Sequence, residues 1–330
     1  MAAEATMREL SEEEGRGAGR ARRARARWEL PLDRGPALVV GTRPLVVGIL
    51  NCTPDSFSDG GRFASADDAV RAAEAMIRDG ADWIDVGGES TRPGADPVPP
   101  EVQRERVLPV IRELRARTDV PISIDTRSPG VGAAALDAGA DIVNDVSACA
   151  DPEWRDVLRG RRAPVVLVHM QGTPRDMQLR PSYPVGAVPE VLAFFVERLR
   201  ALEAWGVEPS RAIVDPGIGF GKRFQDNIDL IRNIDVCRTL GRPVMIGASR
   251  KSFLRRILES RGGAPSTEAL DVGTVAASAC AILRGADMVR VHNVPYAAVL
   301  VRVLEALRLG GAATSPAAEG AAAEAPGGGG

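Results

Sequence analysis

Lysine is almost absent from this 330-residue chain. Of its 42 basic residues, only Lys222 and Lys251 are lysine and 40 are arginine. Two readings of the surviving pair stay open: chance, or a tight site that needs a compact ammonium and cannot take a planar guanidinium. Other absences exclude whole classes of function. The four cysteines, Cys52, Cys149, Cys237 and Cys280, form no C-x-x-C pair. A zinc site or a disulfide framework is thereby disfavoured, and reduced thiols in the cytoplasm are expected. No apolar run is long enough to span a membrane, and there is no signal-peptide core. The net charge is only -2, so no global field draws the chain to nucleic acid or to a membrane surface. With no Cys–His pair and no serine elbow, covalent catalysis is disfavoured.

What is present is a regular alternation between two polar ends. Residues 1–35 carry "SEEE" and "GRGAGRARRARAR" and are expected to form a disordered arm. Residues 312–330 are mainly Ala, Gly, Pro and Glu and are expected to form a flexible tail. Between them, over 36–311, short β-branched runs recur at 45–50, 82–86, 120–124, 141–146, 164–168, 211–214, 243–246 and 286–291. Continuous apolar runs of this length suit parallel strands covered on both faces. Helical patterns lie between them, for example at 66–79, 101–117, 188–205 and 267–284. Eight strand–helix units in this length predict a single-domain (β/α)8 barrel, with a doubly wound sheet as the alternative. The segment 37–44, "ALVVGTRP", reads as a hairpin strand before the barrel.

The strands end in polar residues: Asn51; Asp85 and Glu89; Asp125; Asn144 and Asp145; His169; Asp215; Ser249; Arg290 and His292. The chain has two histidines, and both fall at strand ends. In a barrel these groups converge on the face where active sites are built. "GIGFGK" at 217–222 fails as a phosphate loop, with Pro216 where glycine is needed and Arg223 where Ser or Thr is needed. "GVGAAA" at 130–135 is better explained by helix packing behind Ser128-Pro129 than by dinucleotide binding. "GASRKSF" at 247–253 puts Lys251 and Ser252 where a helix begins, a setting that favours a carboxylate or phosphate. Two chemistries emerge. Asp125, Asn144, Asp215 and Lys251 can read the donors and acceptors of a flat heterocycle. Asn51, Thr91, Arg92, Arg290 and His292 can form an anion pocket.

"GILNCTPDSFSDGGRF", "DVGGESTRPGA", "ISIDTRS", "IVNDVSA", "HMQGTP", "VDPGIGFGK", "GASRKSF" and "RVHNV", in that order over residues 45–294, resemble the motifs of the dihydropteroate synthase family. The resemblance implies condensation of 6-hydroxymethyl-7,8-dihydropterin pyrophosphate with p-aminobenzoate, giving 7,8-dihydropteroate and pyrophosphate. It implies a pterin site of Asp125, Asn144, Asp215, Lys251, Met170 and Phe220. It implies a pyrophosphate site of Thr91, Arg92, Arg290, His292 and Asn51, with Asn51 a ligand of Mg²⁺. The p-aminobenzoate site would comprise Phe57, Pro93, Phe220, Lys251 and Ser252, with Asp59 and Arg92 on loops that close over it. Asp125, Lys251, Asp59 and Arg92 would be the catalytic residues. Sulfonamides compete at this site in the family, and a homodimer through the helix at 267–284 is implied.

The chain departs from the family pattern at three positions. Cys52 replaces a small aliphatic residue, Asn293 stands where an acid is commoner, and Arg127 lies in a variable spot. The resemblance has Lys222 touching neither substrate, so Lys251→Arg is expected to be far more damaging than Lys222→Arg. Two other readings are weighed. A corrinoid methyltransferase barrel would share the pterin forks but has no use for an anion pocket. A non-catalytic binding protein has no use for both sets together.

Overall fold

The apolar runs become strands because each is covered on both sides. In the computed structural model, which describes residues 26–53, 66–259 and 262–308, eight parallel strands form one sheet. They are β3 (Leu45–Asn51), β4 (Trp83–Gly87), β5 (Ile122–Asp125), β6 (Ile142–Asp145), β7 (Val165–Val168), β8 (Ala212–Asp215), β9 (Met245–Ile246) and β10 (Met288–Val291). The order runs in sequence from β8 back to β3, then β10 and β9. A parallel bridge between Val214 and Val244, with Val214 N donating to Pro243 O at 3.0 Å, brings β8 against β9. A doubly wound sheet would reverse its strand order at a switch point. This one runs round to meet itself, as the (β/α)8 expectation requires.

The helices are α1 (Ala66–Arg78), α2 (Pro100–Arg117), α3 (Pro129–Ala138), α4 (Trp154–Arg159), α5 (Ala187–Ala204), α6 (Phe224–Arg232), α7 (Ile234–Cys237), α8 (Ser252–Glu259), α9 (Thr267–Leu283) and α10 (Val294–Arg308). Their ends follow local chemistry. Asp67 and Asp68 open α1 and Arg78 closes it, complementing the helix dipole. Ser128 caps α3 by accepting from Val131 N, with Pro129 as the first helical residue. Gly132 in that helix lies against the Trp154 ring, where a Cβ would collide. The "GVGAAA" motif is therefore a packing device.

An outer cluster of apolar side chains fills the space between strands and helices, and an inner one fills the barrel. The inner cluster contains Leu45, Val47, Trp83, Ile142, Ile213, Met245 and Met288. It also contains Leu30, Leu32 and Val40. These come from an antiparallel hairpin, β1 (Trp28–Leu30) with β2 (Leu38–Val40). The hairpin expected at 37–44 is present, but its partner strand lies inside the segment read as arm. The arm expected over 1–35 reached too far, because Leu30 is wholly buried. Residues 1–25 and the tail expected at 312–330 lie outside the described residues.

Candidate active site

Strand register assembles the site. Asn51 pairs with Gly87, Gly87 with Asp125, and Asp125 with Asn144, so one row crosses β3 to β6 at their C-terminal ends. Gly87 sits in that row between Asp125 and Asn51: a Cβ there would make ordinary contact, 3.5 Å from the Asp125 Cβ and 3.7 Å from Asn51 Oδ1. Asp215 ends β8 on the same face, paired with Val168.

Beneath this row a buried polar network fixes the charged groups. Arg290 Nε donates to Asp85 Oδ2 at 2.6 Å, and Arg290 Nη2 donates to Asp125 Oδ2 at 2.7 Å. Asn144 Nδ2 donates to Asp85 Oδ2 at 3.0 Å. Ser123 Oγ donates to Asp85 Oδ1 and accepts from Trp83 Nε1 at 2.8 Å. Two acceptors are left over: Asp125 Oδ1 and Asn144 Oδ1 are buried and make no hydrogen bond within the protein. An unmatched buried acceptor costs about 1–3 kcal/mol, so this pair favours a ligand that brings N–H donors. Burial pushes the Asp125 carboxyl up to about 7, against the pull of Arg290. It pushes Asp215 up to about 6, although Gly217 N donates to Asp215 Oδ1 at 2.8 Å.

Lys251 and Phe220 form the next wall. The Lys251 ammonium sits 3.7 Å from the Phe220 ring centroid, a cation–π contact. Burial, then Arg290, draws the Lys251 amine down to about 8. Ser252, exposed, opens α8. Met170 is half-buried and packs against the inner cluster.

His292 marks the cationic region. Ser249 Oγ lies 2.8 Å from His292 Nδ1 and accepts from His292 N at 3.1 Å. Burial holds the imidazole down to about 3, aided by Arg250, Arg290, Arg92 and Lys251. The sequence counted His292 as part of a cationic pocket, yet it is a neutral ring among cations. Arg290 is likewise partly engaged, since its Nε and Nη2 already serve two carboxylates. Thr91, half-buried, and Arg92 and Pro93, both exposed, lie on the 88–99 loop. Glu89 pins that loop: it accepts from Val98 N at 2.9 Å and from Arg127 Nη2 at 3.1 and 3.2 Å. Arg127, which the sequence treated as variable, is thus an anchor. Phe57 and Asp59 lie outside the described residues.

The second lysine is buried in a place the sequence did not show. Lys222 is only 3% exposed. Its Nζ lies 2.9 Å from His169 Nδ1 and donates to His169 O at 3.2 Å and to Phe220 O at 3.0 Å. Burial lowers this amine to about 7 and His169 to about 3. One proton between them therefore rests on the lysine. Asp85, Glu89, His169 and Asp145 were read as polar strand ends without a role, and their interior position is the signal that could have promoted them.

Among the described residues, no group of three or more His, Cys, Asp or Glu could hold a metal ion. Asn51 offers one neutral oxygen. That fits Mg²⁺ only as a partner to phosphate oxygens and water, the usual way this ion is held. No helix among the described residues is long and apolar enough to cross a membrane.

Comparison with known proteins agrees with this geometry. Residues 47–292 match the family model described as pterin binding enzyme. The chain is 44% identical over 279 residues to the dihydropteroate synthase of Synechocystis sp., covering 84% of this chain and 95% of that protein. It superposes on the Yersinia pestis dihydropteroate synthase solved with a sulfonamide drug complex at a TM-score of 0.79, with 36% identity, over 85% of this chain and 99% of that one. The Xanthomonas albilineans enzyme solved with 4-aminobenzoic acid gives a TM-score of 0.78 and 41% identity, over 85% and 98%. With most of the barrel matched in sequence and in fold, this chain belongs to the pterin binding enzyme family.

Proposed function

We propose that this chain is a dihydropteroate synthase, joining 6-hydroxymethyl-7,8-dihydropterin pyrophosphate to p-aminobenzoate with release of pyrophosphate. The observation that carries the reading is the pair of unmatched buried acceptors, Asp125 Oδ1 and Asn144 Oδ1, beside an ammonium stacked on an aromatic ring. A pterin presents the N–H donors those acceptors lack, and it offers a carbonyl that Lys251 can address. Asp215 and Met170 complete its surroundings. Phe220 serves as the wall shared with p-aminobenzoate, whose carboxylate meets Lys251, Ser252 and the start of α8. Phe57 and Pro93 are assigned to that site, and Asp59 and Arg92 to the catalytic set.

The pyrophosphate takes Thr91, Arg92, Arg290 and His292. A neutral His292 whose Nδ1 faces Ser249 keeps an Nε2–H, so it serves the anion as a hydrogen-bond donor. Asn51 would hold Mg²⁺ together with pyrophosphate oxygens, and the ion would neutralise charge on the leaving group. We propose a dissociative order. The C–O bond breaks first, and pyrophosphate leaves with the electron pair. The cation left at the exocyclic carbon is spread over the pterin and stabilised by Asp125 and Asp215. The amine then attacks and loses a proton.

A coupled assay of pyrophosphate release with both substrates tests the activity. Slow release without p-aminobenzoate tests the order, and an absolute requirement for the amine before C–O cleavage would overturn it. A cytoplasmic homodimer completes the proposal. Its support is an apolar groove of about 820 Å³ between α6, α8 and α9, lined by Ile231, Phe253, Leu254, Leu258 and Ala277. Exposed Val272 and Leu283 lie on α9.

A further inference from the structure

The loop 216–222 after β8 carries Phe220, and its backbone is held in an unusual way. Gly217, Gly219 and Gly221 alternate along it, all at positive φ. A Cβ at Gly217 would collide with His169 O, and one at Gly221 with Gln171 O. At Gly219 it would come within 2.9 Å of the Lys251 stem. The loop therefore lies flat on the chain leaving β7 and on the site lysine. Three successive carbonyls are then taken by three side chains. Gln178 Nε2 donates to Gly219 O at 2.6 Å, Lys222 Nζ to Phe220 O at 3.0 Å, and Tyr183 Oη to Gly221 O at 2.7 Å.

Only the middle bond belongs to the residue whose ring faces the site. Lys222 spends its other two contacts on His169, at the end of β7. An ammonium has three N–H groups in tetrahedral array, and this one meets three acceptors. Arginine, a planar fork, cannot reach all three from the same buried point.

We propose that Lys222 is a positioning residue. By tying the Phe220 carbonyl to the end of β7 it fixes the Phe220 ring, and with it the Lys251 ammonium 3.7 Å above that ring. The p-aminobenzoate subsite, more than the pterin subsite, depends on that placement. The pterin shares Phe220 and Lys251, but its two unmatched acceptors, on Asp125 and Asn144, lie on strands that Lys222 does not touch. This inference rests on the reaction proposed above. It gives Lys222 a role that the sequence-based expectation, in which Lys222→Arg is mild, did not include.

The test compares Lys222→Met, which keeps length and loses the donors, with Tyr183→Phe, which loses the donor on the neighbouring carbonyl alone. Lys222→Met should raise the KM for p-aminobenzoate by about tenfold, the size of one lost charge-assisted bond. The KM for the pterin substrate, which shares Phe220 and Lys251, should rise by no more than about threefold, and Tyr183→Phe should leave both within about twofold of wild type. Hydrogen exchange of the 216–222 peptide should quicken in Lys222→Met, while that of β3 stays unchanged. If the Met variant does not fold, Lys222→Gln carries the same comparison. Equal rises in both KM values, or a fall in melting temperature with the p-aminobenzoate KM unchanged, would overturn the proposal. A wild-type protein that forms no dihydropteroate would instead refute the reaction, and hydrogen exchange would still decide whether Lys222 holds the loop.

Discussion

Replacing Asp85 with Asn removes one charge from the centre of the barrel and should be felt in two separable ways. Asp85 is fully buried, and its two oxygens serve Arg290, Asn144 and Ser123. An amide keeps one acceptor, so at least one of those donors is stranded. Removing one partner of a buried ion pair costs about 3–5 kcal/mol, and Arg290 keeps Asp125, so the low end of about 3 kcal/mol applies. For a domain of this size that is a fall in melting temperature of about 6–12 °C. The second effect is on protonation. The Asp125 carboxyl stands near 7 chiefly through burial, and the Asp85 charge adds to that rise. Without Asp85, and with Arg290 free to lean on it, Asp125 must ionise at lower pH.

The raised carboxyl has opposite signs for binding and for stability. Binding needs the ionised acceptor, so kcat/KM for the pterin substrate should fall as pH drops through 7, and in the variant that limb should move to lower pH. Stability of the free protein runs the other way. Between the ordinary carboxylate range and 7 the folded state binds the extra proton, so burial of Asp125 weakens the fold as pH rises through that window. Thermal melts and pH profiles of both proteins, with the same substrate so that its own titration cancels, are the assay. A melting temperature within about 2 °C of wild type, with an unmoved acid limb, would refute the network as the control on Asp125.

Lys251→Arg should lower kcat/KM for both substrates by about 10–100-fold, because a guanidinium must displace the stem packed at Gly219 and the contact on Phe220; steady-state kinetics varying each substrate in turn checks this. Deleting residues 1–25 should leave the melting temperature unchanged, whereas deleting through Leu32 removes two buried leucines worth about 1.5–3 kcal/mol each and should lower it markedly in a thermal-shift assay. Ala277→Arg, in the apolar groove, should give monomers by light scattering, and an unchanged dimer would put the interface elsewhere.

What the sequence made legible follows from how each signal is written. Strands covered on both faces need continuous apolar runs, so all eight could be read, with boundaries off by a residue or two. Polar residues at their C-terminal ends break those runs sharply, and so Asn51, Asp125, Asn144 and Asp215 stood out. Asp85 ends no run. It sits inside "DWIDV", where an acid reads as an interruption, and only the register that sets it against Ser123 shows that it is the node of the network. The arm boundary failed for a related reason. "WEL" is too short to show a strand period, and Leu30 becomes core only because the hairpin folds it into the barrel.

Lys222 was illegible for a deeper reason. A sequence shows that a lysine follows a glycine loop, but not which way the loop turns. Three glycines at positive φ reverse the chain tightly enough to carry the amine back over its own loop and onto the strand before it. The acceptors it finds are mostly backbone carbonyls, which every residue possesses and no motif records. His169 adds the one side-chain partner, its ring held neutral by burial and by the Lys222 charge. The scarcity of lysine was therefore a better guide than the motif that surrounds it. Both surviving lysines stand beside Phe220, one above its ring and one on its carbonyl, and on the proposal above each place calls for a small tetrahedral cation.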